Sequence, residues 1–124
     1  MITQTGLTHT STLTVGQQHT AQALGSGDMP VLATPQMVAL MENAAMLAVA
    51  QQLEASETTV GTQITVSHVR ASKVGAEVRA TARLTAIDGR RLDFEVEAYD
   101  GPTLIGQGTH TRFVVQRERF MAKL

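Results

Sequence analysis

Cysteine is absent from the 124 residues, which removes a disulfide framework, a thiol nucleophile and any thiolate metal site together. Aromatic residues make up 3% of the chain and tryptophan is missing, so there are few faces on which nucleobases could stack. A formal net charge of -1 leaves no basic excess, whereas a nucleic-acid partner needs a clustered positive surface. No apolar run approaches the roughly 18 residues of a membrane-spanning helix. The first residues, Met1-Ile2-Thr3-Gln4-Thr5, lack the basic region and apolar stretch of an export signal. The expectation is a cytoplasmic protein with neither nucleic-acid nor membrane partners.

What is present is an ordinary core-forming content, 43% hydrophobic, carried by Val, Leu, Ile, Ala and Met. The length suits one domain over residues 1-124, with its core at about 7-115. Residues 7-15 alternate, with Leu7, His9, Ser11, Leu13 and Val15 on one face and threonines on the other, as in a strand. Residues 16-30 are polar and Gly-containing and read as a flexible loop or lid with room for a short helical turn. Residues 35-53 read as a helix, with Thr34 as N-cap, Pro35 at the first helical position and an apolar stripe through Met37, Met41, Ala44 and Ala48.

From residue 58 the period changes to two, giving strands at 60-70, 77-86, 91-99 and 103-115. A two-residue Asp88-Gly89 turn pairs Leu84 with Asp93 and opposes apolar residues to charges. A three-residue loop, Ile87 to Gly89, pairs Leu84 with Leu92, Ala82 with Phe94, Arg83 with Asp93 and Arg79 with Glu97, and is the expected solution. Gly106 and Gly108 share a face of the last strand, which points to curvature or close contact with the helix or a ligand there. A strand, a long helix and four further antiparallel strands make an α+β architecture, a sheet of about five strands wrapped around one helix.

Three residues carry the chemistry. Thr34 has a hydroxyl at the positive end of the helix dipole, where a developing oxyanion is stabilised. Glu42 is an isolated carboxylate two turns in, on the same side, in a nearly uncharged segment. His68 shares the inward face of its strand with Ile64 and Val66, and Glu42 is expected to face it. Each has a plain structural explanation as well: a cap, a solvated outer-face acid and a satisfied core histidine. Together, a hydroxyl, a carboxylate and an imidazole suffice to hydrolyse an activated acyl group. His9, His19 and His110 show no metal-ligand spacing and read as surface or strand residues, and no metal is expected. Arg70, Lys73 and Arg112 are either surface charges or contacts for the phosphates of a carrier such as coenzyme A.

The segments Leu32-Ala33-Thr34-Pro35 with Met41-Glu42-Asn43-Ala44, Val60-Gly61-Thr62 leading to His68, Gly89-Arg90-Arg91-Leu92 through Asp100, and Leu104-Ile105-Gly106-Gln107-Gly108-Thr109-His110-Thr111-Arg112 resemble the hotdog-fold thioesterases related to fluoroacetyl-CoA thioesterase. The resemblance spans about residues 7-115 and implies a single hotdog domain. It implies hydrolysis of a small acyl-CoA with Thr34, Glu42 and His68 as the catalytic group. It further implies acyl contact at Gly61, substrate contact at Arg112, no cofactor beyond the coenzyme A of the substrate, and a homodimer or higher oligomer with sites at the interface. The fluoroacetyl-specific member closes its pocket with phenylalanines before the helix; residues 16-33 here contain no aromatic, so fluoroacetyl selectivity is not expected. Whether Glu42 attacks directly or activates water stays open. The alternative is a non-catalytic hotdog protein that binds acyl-CoA or another small ligand; a hydratase is less well served, because no second carboxylate pairs with the histidine.

Overall fold

Between Thr34 and Val49 the chain has no glycine, one proline near its start and mostly strong helix formers. In the computed structural model, which describes residues 1–124, this stretch is the central helix. The elements run β1 (Thr8–Thr14), a short α1 (Ala21–Leu24), α2 (Thr34–Val49), β2 (Glu57–His68), β3 (Glu77–Asp88), β4 (Arg91–Asp100), β5 (Thr103–Gln116) and α3 (Arg117–Ala122). None of the helices is long and apolar enough to cross a membrane. The N-cap of α2 is Ala33 and not Thr34, which is the first helical residue and makes no capping bond. The helix also stops short of residue 53. Ala50–Gln52 tighten into a 3-10 turn, and these exposed residues have no apolar face to hold a further α-turn against the sheet.

The five strands form one antiparallel sheet in the order β1-β3-β4-β5-β2. This is the expected hotdog arrangement of one long helix and a five-stranded sheet. Alternation decides which face α2 covers: Val78, Ala80, Ala82 and Leu84 of β3 and Leu92, Phe94, Val96 and Ala98 of β4 are all buried. Met37, Leu40, Met41, Ala44, Ala45 and Val49 supply the helix side. The helix lies mainly over β1 and β3, with β4 beside them. Ile64, Val66 and His68 of β2 point to the same side but stay half-exposed. The segment expected as a loop or lid carries a 3-10 turn at Gln17–His19 and α1. It is tied down by bridges from Thr20 to Leu32 and from Val31 to Lys73.

The β3–β4 register departs from the expected one. Asp88 pairs with Arg91 around Gly89 (φ 60°) and Arg90, so the loop has two residues. A bulge at Thr85 then restores the phase, setting Leu84 opposite Phe94, Ala82 opposite Val96 and Arg83 opposite Glu95. Arg79 faces Tyr99 and lies 4.9 Å from its ring centre, a cation–π contact in place of the expected pair with Glu97. The expected register had the correct faces as far as Leu84 and was two residues off. Beyond the bulge the phase shifts, so that Ile87 and not Ala86 shares the inward face with Leu92. No residue type announces the extra residue.

Gly106 marks the expected close contact with the helix, whereas Gly108 marks one with the neighbouring strand. A methyl on Gly106 would sit 2.5 Å from Met37 Sδ of α2, and one on Gly108 would collide with the Thr65 carbonyl of β2. The second neighbour is backbone and cannot move aside. We expect Gly108→Ala to destabilise the fold by about 3 kcal/mol, at the upper end of overpacking costs, in urea unfolding. Unchanged stability would mean that β2 and β5 do not pair as closely as described.

Candidate active site

Thr34 Oγ1 lies 2.7 Å from His68 Nδ1. The hydroxyl that does not cap α2 therefore joins the helix mouth to the last residue of β2. The Thr34 amide, first in the helix, makes no backbone hydrogen bond, and the next residue is a proline with no N–H, so an open donor sits at the positive end of the dipole. His68 Nε2 is buried and has no partner. Burial pushes the His68 pKa down, with the backbone of Arg70 partly opposing, and the ring is held toward its neutral form. Thr34 and His68 line a cleft of about 290 Å³ together with Leu32, Val69 and Arg70.

Glu42 lies elsewhere. A bulge at Thr62 separates the pairs Gly61↔Arg112 and Gln63↔Thr111. It thereby brings Gly61 into phase with Ile64, Val66 and His68 on the inward face. A methyl built on Gly61 would be 3.1 Å from His110 Cε1, 3.3 Å from Glu42 Oε2 and 3.4 Å from Arg112 Nη1. Those three side chains therefore surround one small void that only glycine leaves open. Arg112 is 7% exposed and bonds through Nε to Thr59 Oγ1 at 2.8 Å, through Nη2 to the Thr59 carbonyl at 2.9 Å and through Nη1 to His110 at 3.2 Å. Burial lowers its pKa and Glu42 opposes that shift; a guanidinium remains a cation regardless.

The structure thus brings Thr34 to His68, and Glu42 to Gly61 and Arg112, but it does not bring Glu42 to His68 within one chain. The expectation that Glu42 faces His68 is corrected: eight residues along α2 amount to about 12 Å of rise. Sequence reasoning also missed His110, read as a surface or strand residue; it is 2% exposed. The signal was available, because Gly106, Gly108, His110 and Arg112 are in phase. They pair with the inward Ala98, Val96, Phe94 and Leu92 of β4. Arg70 is exposed at the cleft mouth. Lys73 sits in the bridge to Val31.

The FlK family, described as fluoroacetyl-CoA-specific thioesterase, matches residues 15–118. The chain belongs to that family. A fluoroacetyl-CoA thioesterase from Streptantibioticus cattleyicolor is 47% identical over 94 residues, 76% of this chain and 68% of that protein. The solved structure of the FlK fluoroacetyl-CoA thioesterase superposes with a TM-score of 0.91 at 39% identity, covering 99% of this chain and 96% of that one. A thioesterase superfamily member from Thermus thermophilus is 28% identical with a TM-score of 0.87, covering 95% and 88% of the two chains.

Both inward histidines have pKa values lowered mainly by burial, so this FlK family member gives up stability when they must charge. The unfolded chain takes up these protons at about pH 6.5, before the folded protein does. Unfolding free energy is therefore expected to fall as pH drops from that value toward the depressed folded values. Replacing His68 with Gln should remove part of this loss in urea titrations at several pH values. An unchanged pH slope in that variant would contradict the burial of the His68 ring.

Proposed function

We propose that this protein hydrolyses the thioester of a small acyl-CoA, giving the free acid and CoA. Family membership supports a thioesterase. The observation that carries the reading to particular residues is the Thr34–His68 hydrogen bond at the helix mouth. The N-cap position belongs to Ala33, so the Thr34 hydroxyl, one residue inside the helix, is free to bond the imidazole. In the proposed reaction, the thioester carbonyl oxygen accepts from the Thr34 amide and hydroxyl as negative charge builds on it. Glu42 either attacks the carbonyl carbon or deprotonates a water that does so. The C–S bond then breaks and the thiolate receives a proton through His68, which relays the proton that Glu42 took from water. In direct attack the relayed proton comes from solvent, and water then hydrolyses the acyl–Glu42 anhydride to free acid and returns that proton. Gly61 and Arg112 border the acyl end, and Arg112 adds a fixed positive charge there.

The same reading makes the protein a homodimer. β2 is an edge strand, paired only with β5, so its outer backbone groups are free to pair with another strand. Antiparallel pairing of two β2 edges about a two-fold axis near Thr65 sets Gly61 of one chain beside His68 of the partner subunit. Glu42 of the first chain then closes on the Thr34–His68 pair of the second, and the 12 Å separation within one chain (about two helical turns) no longer matters.

Selectivity for fluoroacetyl is not part of the proposal. The segment before α2 offers Leu24 and Met29, both exposed, and no aromatic side chain to close over the acyl group. Short acyl-CoAs should release thiol with kcat/KM values for acetyl-CoA and fluoroacetyl-CoA within about tenfold, a span that ordinary pocket contacts cover. Glu42→Ala and His68→Ala should each lower kcat by at least about 100-fold, as expected for loss of a base or nucleophile. Binding of acyl-CoA without thiol release would remove the enzymatic reading, and full turnover in either variant would remove the assignment of that residue to the site.

A further inference from the structure

Arg112 can only donate hydrogen bonds, so the nitrogen of His110 that it meets at 3.2 Å, Nε2, must accept. The ring's remaining proton is then on Nδ1, where it is donated to the Gln63 carbonyl at 2.8 Å. The surroundings agree with a neutral ring. Burial lowers the His110 pKa, the Gln63 carbonyl opposes, Arg112 lowers it further and Glu42 opposes. The β-strand neighbours in register, Ile64 and Phe94, bring no charge.

The location of this ring gives it a consequence. Glu42 Oε2 and Arg112 Nη1 border the same void at Gly61, yet the two side chains form no ion pair. A half-buried carboxylate and a buried guanidinium that border one void would ordinarily pair with each other. What restrains Arg112 is its set of anchors on Thr59 and His110.

We propose that His110 is a positioning residue: as a neutral Nδ1–H imidazole it holds the Arg112 guanidinium beside Gly61 and away from Glu42, leaving the carboxylate unpaired. The consequence for catalysis rests on the thioesterase reading; the tautomer and the tether do not. Without His110 the Nη1 end of Arg112 loses its anchor while Nε and Nη2 stay on Thr59. The guanidinium then tilts toward Glu42 and engages the group that the reaction needs. His110 acts through its hydrogen bond to Arg112.

Two amide variants separate the ring's two bonds. His110→Gln keeps an acceptor at the reach of Nε2, and His110→Asn keeps a short donor toward Gln63 without reaching Arg112. We expect the Gln variant to retain kcat within about threefold and the Asn variant to lose about tenfold or more with KM little changed, the scale of one hydrogen bond to a charged group. Equal loss in both, or full kcat in the Asn variant, overturns the proposal. Nitrogen-15 NMR of the wild-type protein at neutral pH provides the measurement that needs neither variant folding nor turnover. It should show His110 protonated on Nδ1 alone; protonation on Nε2, or an imidazolium, overturns the tether even if the protein releases thiol. A correct tautomer with no thiol release instead removes only the thioesterase reading.

Discussion

Alanine floors the groove in which α2 lies, and that floor determines where chemistry can occur. Ala80, Ala82 and Ala98 on the sheet and Ala44 and Ala45 on the helix are all fully buried. Small side chains on both surfaces let the helix approach the sheet closely. With only four aromatic residues in the chain, three Phe and one Tyr, just Phe94 adds a large ring to the core. The helix covers the β1–β3–β4 part of the sheet and leaves the inward face of β2 half-exposed. Glu42 and Thr34 therefore project toward a strip of sheet that the chain does not itself fill.

Along that strip the polar groups fall into two clusters, one at each end. At the helix mouth, Thr34 and His68 share a hydrogen bond beside an open amide. About two turns on, Glu42 meets a glycine notch bordered by His110 and Arg112. Each cluster is chemically incomplete: one has donors and a proton carrier without a carboxylate, and the other has a carboxylate and a fixed cation without an imidazole free to exchange protons. The proposed dimer resolves this by pairing unlike halves across a two-fold axis. The bulge at Thr62, which turns Gly61 inward, is then a requirement of the site rather than an irregularity of the strand.

Much of this was legible in the sequence. Period-two alternation in Val78 to Leu84 and Leu92 to Ala98 gave the faces of β3 and β4, and Pro35 with the stripe from Met37 to Ala44 gave the helix. Thr34 and His68 were chosen from local patterns and do meet. The failures share a physical origin. Bulges at Thr85 and Thr62 insert one residue without changing composition, so the hairpin register and the inward turn of Gly61 could not be read from alternation. Thr34 was assigned the cap because its side chain suits one, but the helix begins one residue earlier, with Ala33 at the cap and the Thr34 hydroxyl on His68. Glu42 was set opposite His68 because both point inward; direction was legible and distance along the helix axis was not weighed. His110 was overlooked although its phase with Gly106, Gly108 and Arg112 placed it inside.

The central claim is that Glu42 of one chain works with Thr34 and His68 of another, and a mixed-chain experiment addresses it directly. Glu42→Ala and His68→Ala chains, each inactive alone, are unfolded together, refolded and assayed for thiol release from a short acyl-CoA. In a mixed dimer one site receives both substitutions and the other receives neither, so random pairing restores about a quarter of the wild-type activity. If Glu42 and His68 instead serve the same chain's site, every site in the mixture lacks one of them. Activity that stays at the level of the separate variants, with mixed dimers shown to have formed, would contradict the claim.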